Sequence, residues 1–152
     1  DGEVYAEGMQ RLLVKWNTAK TMVPKAVVSG QNSSAGVLYF GTSAYAANEA
    51  LEVLRQQNNI DDMRVKAFPF GKEVSEFIAQ HEQVFVIEQN RDAQMKTMLI
   101  NELGDELNLN PHKLISVLNI DGMPITAQFL IEKIKKHLVH NTVHVINQEQ
   151  SS

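Results

Sequence analysis

The sequence predicts an α/β domain whose sheet is mostly parallel and is covered by helices on both faces. The first observation is that short apolar runs alternate with amphipathic stretches of helical period along residues 36–140. The second is the run Val84-Phe85-Val86-Ile87, which is continuously apolar, as in a central parallel strand. Strands that alternate with helices are joined by right-handed crossovers, and these place helices on both sides of the sheet.

A separate helix precedes this pattern. Its apolar residues recur at three- and four-residue spacing on one face, and they are Met9, Leu12, Leu13, Trp16, Ala19 and Val23. Pro24 ends the helix, and residues 29–36 are rich in Gly, Ser and Asn, which indicates a loop or short linker. The predicted organisation is an N-terminal helix and linker over 1–35, an αβα domain over 36–140 and a polar C-terminal tail over 141–152, which we expect to fray or to add an edge strand.

The first half of the domain contains two predicted strands. Residues 37–40 form the first, and after Gly41 the hydroxyls of Thr42-Ser43 are placed to cap a helix. Residues 63–68 alternate between apolar and polar side chains and form the second strand, which Pro69 and Gly71 end before a short helix.

The second half repeats the arrangement. The apolar strand 84–87 is followed by a helix that Asn90 can cap, and residues 114–118 form a fourth strand. Asp121-Gly122 is typical of a turn, and Thr126 begins the last helix.

Composition excludes several classes of function. The 152 residues are 43% hydrophobic with a net charge of −4, and the basic residues do not cluster, so we expect no nucleic-acid partner. No apolar run approaches the roughly 20 residues that span a bilayer, so we expect no membrane association. The absence of cysteine excludes disulfides, thiol catalysis and cysteine-ligated iron–sulfur clusters within this chain, and it fits a cytoplasmic protein.

Four loops follow the carboxyl ends of the predicted strands, where open α/β sheets usually bind ligands. Among their residues, those that we expect to face an interface or a ligand are Gly41, Thr42, Ser43, Phe70, Glu88, Asn90, Arg91 and Asp92. We assign none of them a catalytic, cofactor-binding or metal-binding role. The Gly41 turn lacks the spacing of a dinucleotide fingerprint and has no Walker lysine, so helix capping is the favoured interpretation of its hydroxyls.

The loop from Glu88 to Asp92 is the most polar of the four. Glu88 and Gln89 end a buried strand, so their polar groups need partners. Arg91 and Asp92 can pair locally, and Asp92 is favourable near a helix N-terminus. Structural networking is the favoured interpretation, ahead of an interface with another domain and of direct catalysis.

Other ionisable groups give weaker signals. The spacing of His137, His140 and His144 is that of a metal site only on one continuous helix face, and the residues between them favour an unstructured tail instead. The pairs Asp61-Asp62 and Asp105-Glu106 fall in predicted loops or helix ends and are expected to be solvated. His81 and His112 are likewise expected at the surface.

Two stretches resemble a known family, namely Asp62-Met63-Arg64-Val65-Lys66-Ala67-Phe68-Pro69-Phe70 and Val84-Phe85-Val86-Ile87-Glu88-Gln89-Asn90-Arg91-Asp92-Ala93-Gln94. Together with residues 36–41 and 118–127, they resemble the C-terminal part of the α subunit of 2-oxoacid:ferredoxin oxidoreductases, most closely the 2-oxoglutarate type. The resemblance runs in the family's order from about Arg11 to about Ile134. The string from Glu88 to Gln94 is its most specific piece.

The resemblance implies a domain similar to the C-terminal domain of transketolase, which is a three-layer αβα sandwich with a mixed sheet of five strands, one of them antiparallel. Only four strands are evident in the sequence, so we expect the fifth near residues 26–28 or from a division of 114–118. The complete enzyme of this family decarboxylates a 2-oxoacid with thiamine diphosphate and magnesium, transfers the acyl group to coenzyme A, and passes electrons through iron–sulfur clusters to ferredoxin.

The cofactor motifs of the family are absent from this chain. The diphosphate signature fails at Gly104-Asp105-Glu106, and there is no cysteine for a cluster. We therefore expect a non-catalytic assembly domain whose partners are the other domains and the β subunit, with a homodimer as a further possibility and an exposed apolar surface that includes Trp16 and Phe70. The alternative is a free-standing module that binds a nucleotide or another anion at Gly41, Thr42 and Ser43.

Overall fold

The computed structural model describes residues 2–30 and 32–149, except for the side chains of Glu106 and of residues 139–149. The helices and strands follow one another as α1 (Gly2–Met22), β1 (Val27–Ser29), β2 (Ala35–Phe40), α2 (Ser43–Leu54), β3 (Ile60–Val65), α3 (Lys72–Gln80), β4 (Gln83–Glu88), α4 (Gln94–Leu107), a 3₁₀ turn (Pro111–Lys113), β5 (Leu114–Leu118) and α5 (Ala127–Glu149).

Within these residues, five strands form one mixed sheet in the order β1-β3-β2-β4-β5. The four strands β2 to β5 are mutually parallel, and β1 pairs with β3 in the antiparallel direction. The predicted fold class is therefore confirmed. The fifth strand lies near residues 26–28, which is one of the two predicted places for it.

Two separate apolar cores lie on the two faces of the sheet. Alternate residues of the strands point to opposite faces, so Val37 and Phe85 pack against α2 and α5. Their neighbours Leu38 and Val86 pack against α3 and α4 on the other face. The strand β4 is buried on both faces, and this explains why its apolar run is continuous.

The helix α1 ends at Met22, before Pro24, as the sequence predicts. None of its 21 residues is buried. It meets the body of the domain through the edge-to-face contact of Trp16 with Phe68, at 5.2 Å between ring centroids, and through the ion pair of Lys20 with Glu102 at 3.9 Å.

Four predictions about the middle of the chain are wrong. The second predicted strand spans Ile60–Val65 and not residues 63–68, so Asp61 and Asp62 lie inside β3 and are both only 6% exposed. His81 is also buried, at 2% exposure. Phe70 is 3% exposed and belongs to the core, whereas its neighbour Phe68 is 41% exposed.

The C-terminal end also differs from the prediction. The helix α5 continues to Glu149, so residues 141–149 are helical and form neither a frayed tail nor an edge strand. The last three predicted tail residues, 150–152, lie outside the described residues. No helix in the described part of the chain has the length and apolar character needed to cross a bilayer.

Candidate functional site at the carboxyl ends of the strands

The four parallel strands end at the same edge of the sheet, so the loops that follow them lie side by side. The pairing of Glu88 with Leu118 places the ends of β4 and β5 together. The amide of Asn119 then donates to the carbonyl of Glu88 at 2.9 Å, which continues the pairing one residue beyond the strand.

Glu88 is fully buried at the last position of β4. One carboxylate oxygen accepts from the side-chain amide of Asn90 at 2.8 Å and from the backbone amide of Met95 at 2.7 Å, and the other accepts from the amide of Lys96 at 3.1 Å. Met95 and Lys96 lie in the first turn of α4, where backbone N–H groups lack partners within the helix. Glu88 therefore satisfies the N-terminus of α4, and its negative charge is favourable there.

Asn90 holds the turn that separates Glu88 from α4. Its side-chain oxygen accepts from the amide of Asp92 at 3.1 Å and from that of Gln94 at 3.4 Å. The turn includes Ala93 in the left-handed region, with φ of 51°, which costs free energy for a residue with a Cβ. The N-cap position is occupied by Ala93 and not, as the sequence predicts, by Asn90, so Asn90 supports the start of α4 from the preceding turn, together with Glu88.

Arg91 and Asp92 pair with each other, as predicted, with 2.7 Å between Nε and Oδ1. Both side chains are exposed, by 81% and 58%, so the pair lies on the outside of the turn. An exposed ion pair of this kind contributes little to stability.

Gln89 joins three of the four loops. Its side-chain nitrogen donates to the hydroxyl of Ser43 at 3.1 Å and lies 3.4 Å from that of Thr42, and its oxygen accepts from the amide of Ile125 at 3.3 Å. The sequence indicates that Gln89 needs partners but does not identify them, because all three are 36 or more positions away along the chain.

The predicted capping of α2 by Thr42 and Ser43 is wrong. Thr42 has helical backbone angles at the N-cap and no side-chain capping hydrogen bond, and Ser43 is already the first helical residue. Their hydroxyls accept from Gln89 instead. Gly41 has φ of 57°, a conformation that favours glycine and that turns the chain from β2 into α2.

The predicted start of α5 at Thr126 is confirmed, since its hydroxyl accepts from the amide of Phe129 at 3.2 Å. The turn at Asp121-Gly122 is also confirmed. Gly122 has φ of 78°, and the carboxylate of Asp121 accepts from the amide of Met123 at 2.9 Å.

A cavity of about 280 Å³ opens between the loops that follow β4 and β5. Gln89, Asn90 and Arg91 line one side, and Asn119, Ile120, Gly122 and Met123 line the other. Ile120 and Met123 are 66% and 67% exposed, so the rim is apolar on the side of the loop after β5, while the exposed Arg91 lies on the other side. Phe70 and Glu88 are buried, and neither lines this cavity.

A second polar cluster lies at the amino ends of the strands, where no site is predicted from the sequence. Nε2 of His81 is 3.2 Å from the carboxylate of Asp61, and its Nδ1 is 2.6 Å from the carbonyl of Phe77. Because a carbonyl only accepts, Nδ1 carries a proton. Asp61 also accepts from the amide of Ser33, and the Ser33 hydroxyl accepts from the amide of Asp61 in return. The cluster fixes the loop that leads into β2.

A third network lies between β3 and α2. The hydroxyl of Tyr39 is 2.9 Å from the carboxylate of Asp62 and 3.0 Å from the side-chain oxygen of Asn48. Arg55 forms an ion pair with Asp62 at 2.5 Å and donates its Nε to the carbonyl of Ile60 at 2.9 Å. Burial raises the pKa of Tyr39 well above its usual range, and the neighbouring Asp62 carboxylate raises it further.

The described residues contain no group of three or more His, Asp and Glu side chains that could hold a metal ion. The metal site considered for His137, His140 and His144 lies partly outside the described residues. The side chains of His140 and His144 are not described. His137 is exposed, and its ring lies 6.0 Å from that of Phe85.

Known proteins are similar to this chain in fold, whereas no family model or curated sequence matches it. No family model matches the sequence. No curated protein matches it either.

Solved structures are similar to the chain, at low sequence identity. The 2-oxoglutarate:ferredoxin oxidoreductase from Magnetococcus marinus, with 2-oxoglutarate, coenzyme A and succinyl-CoA bound, has a TM-score of 0.67 and 20% identity. The match covers 79% of this chain and 21% of that one. A split-gene transketolase, described as an inactive β4 tetramer, has a TM-score of 0.57 and 14% identity over 76% of this chain and 41% of its own.

These similarities define the class of the domain. It has the three-layer α/β fold that a 2-oxoacid oxidoreductase and a transketolase both contain, and the fold implied by the sequence resemblance is confirmed. The chain spans less than half the length of either protein.

Proposed function

We propose that this chain is a non-catalytic assembly domain of the α subunit of a thiamine diphosphate-dependent 2-oxoacid:ferredoxin oxidoreductase, with 2-oxoglutarate as the expected substrate. The sequence resemblance and the fold support this proposal. The candidate strand-end loops support it too, because Glu88, Gln89 and Asn90 have hydrogen-bond partners that hold the fold together.

The observation that carries the proposal is the apolar surface of α1. Along one side of this helix run large side chains that are 37% to 72% exposed, and we call this surface the α1 stripe: Tyr5, Met9, Leu12, Leu13 and Trp16. Several large apolar side chains exposed on one side of a helix are typical of an interaction surface, and a neighbouring protein unit is the occupant that the resemblance favours. We infer that other domains of the α subunit, or its β subunit, cover the stripe.

The chemistry of the proposed enzyme belongs to its other parts. Thiamine diphosphate, magnesium, coenzyme A and the iron–sulfur clusters would bind there, ferredoxin would accept the electrons, and the cytoplasm is the proposed location. In a homodimer, a second copy of the subunit would cover the α1 stripe instead.

The test uses the full-length α subunit with a tagged β subunit. Co-purification is followed by an assay of 2-oxoglutarate-dependent, coenzyme A-dependent reduction of a viologen dye. The double variant Leu12→Asp, Leu13→Asp should lose the partner and the activity together. Gln10→Asp with Asn17→Asp places two carboxylates off the stripe on the same helix and should retain both. Full assembly of the stripe variant would contradict the proposal.

The free-standing ligand-binding alternative at Gly41, Thr42 and Ser43 is not proposed. The amide of Gln89 already uses the Ser43 hydroxyl and lies within reach of the Thr42 hydroxyl, so the polar groups expected to hold a ligand have partners inside the fold.

A further inference from the structure

An open groove lies beside the antiparallel edge of the sheet, far along the sheet from the loops that follow β4 and β5. The helix α2 packs on β2, whereas Val27 and Ser29 of β1 and Arg64 of β3 are exposed beside it. The groove has a volume of about 450 Å³, within the range of small-molecule sites. Val27 and Ser29 of β1 line one wall, and residues of α2 line the other.

The floor of the groove carries two cations without partners. Arg64 and Lys66 lie two positions apart and so point to the same face. Both side chains are exposed, and neither forms an ion pair or a side-chain hydrogen bond with any residue that the structure describes. Elsewhere on the surface, Lys72 and Arg91 have carboxylate partners at 2.7 Å.

A third cation is fixed at the rim. Arg55 uses Nε and one terminal nitrogen for Ile60 and Asp62, which holds its guanidinium in one orientation and leaves the other terminal nitrogen available. Its charge is balanced by Asp62, and Glu52 at the rim offsets one of the remaining two cations. The groove therefore keeps an excess of positive charge.

We infer that this groove is a binding site for a small phosphate-bearing anion, held by Arg64, Lys66 and the free edge of Arg55. A phosphate group accepts several charge-assisted hydrogen bonds at once, which suits two arginines and a lysine converging on one groove. The hydroxyl of Ser29 and the amide of Asn48 line the same groove and can contact the rest of the ligand.

The test titrates inorganic pyrophosphate into the 152-residue chain at moderate salt, followed by calorimetry and by amide chemical shifts. Saturable binding is expected, with the largest shifts in β1 and β3. The double variant Arg64→Ala, Lys66→Ala should weaken binding about tenfold or more, since it removes two charge-assisted contacts. Arg64→Lys with Lys66→Arg keeps the charges and should retain most of the affinity.

The matched control is Lys135→Ala with Lys136→Ala, which removes the same charge from α5. Its affinity should equal that of the unchanged chain, and an equal loss in both double variants would overturn the site in favour of general electrostatic attraction. Binding of succinate as tight as that of pyrophosphate would overturn the assignment to phosphate. Absence of saturable binding at millimolar pyrophosphate would overturn the inference altogether. Unchanged melting temperatures of the variants confirm that they fold.

Discussion

The helix α1 and the strand β4 are opposite extremes of one chain. Not one residue of α1 is buried, although it carries Leu12, Leu13 and Trp16, whereas five of the six residues of β4 are buried, including the carboxylate of Glu88. Burial of apolar area is the main source of folding free energy. The comparison teaches that the sheet and its four covering helices bury the core, while the apolar residues of α1 stay largely exposed apart from the contact of Trp16 with Phe68.

The strongest test of this comparison makes the same Leu→Ala substitution in α1 and in the core that packs against β4. Leu99 is fully buried on α4 and Leu12 is 56% exposed on α1. Leu99→Ala should lower the free energy of unfolding by about 2–5 kcal/mol, because it leaves a cavity in the core. Leu12→Ala should change it by less than about 0.5 kcal/mol. Urea denaturation measures both, and similar losses would show that α1 contributes to the core.

The next largest effect is expected at Glu88. Glu88→Gln replaces an acceptor with an amide nitrogen that faces the N–H groups of α4, so a buried donor loses its partner. The free energy of unfolding should fall by about 2–4 kcal/mol. Glu49→Gln, at an exposed position of α2, is the control and should be nearly neutral. A neutral Glu88→Gln would mean that the carboxylate is not needed for capping and would reopen a chemical role.

A smaller loss of free energy of unfolding is expected when the side chain of Gln89, which joins the loops, is removed. Gln89→Leu deletes the contacts with Ser43 and the amide of Ile125 and should cost about 1–2 kcal/mol. Amide hydrogen exchange should also become faster in the loops after β2 and β5, which a change confined to β4 would not produce. The exposed Gln80 supplies the control variant Gln80→Leu, for which neither change is expected.

The smallest effect concerns pH. Burial first, and then the Asp62 carboxylate, raise the pKa of Tyr39, so the phenol stays neutral in the folded chain where it ionises in the unfolded one. Its stabilising contribution is complete below the unfolded pKa of about 10 and is lost as pH rises above it. Tyr39→Phe should therefore make stability less dependent on pH above about 10. Denaturation at several pH values measures this, with Tyr45→Phe as the control. If the slope of the free energy of unfolding against pH is the same in Tyr39→Phe as in the unchanged chain, the explanation is wrong.

The sequence predicts the elements in which buried apolar residues recur at a regular spacing. The apolar run from Val84 to Ile87 predicts β4, an interior strand that is buried on both faces, and the prediction over residues 114–118 matches the bounds of β5. Local patterns also identified the turn at Asp121-Gly122 and the cap at Thr126, because each depends on residues within three positions of it.

Buried polar residues could not be predicted in the same way. Asp61 lies 20 positions from His81 and 28 from Ser33, and Asp62 is neutralised by Arg55 across a helix–strand connection. A carboxylate without its partner is expected in solvent, so the start of β3 was interpreted as a loop. Phe70 was misplaced for a related reason, since only the path of the chain after the strand decides that Phe68 faces outwards and Phe70 inwards.

The turn made by Glu88 and Asn90 has a consequence for how related sequences are recognised. The most specific stretch of the resemblance, from Glu88 to Gln94, contains the residues that start α4, and its one salt bridge, between Arg91 and Asp92, faces solvent. A search built on this stretch would therefore collect proteins that share a way of joining a strand to a helix. Such a search would not by itself distinguish one enzymatic activity from another.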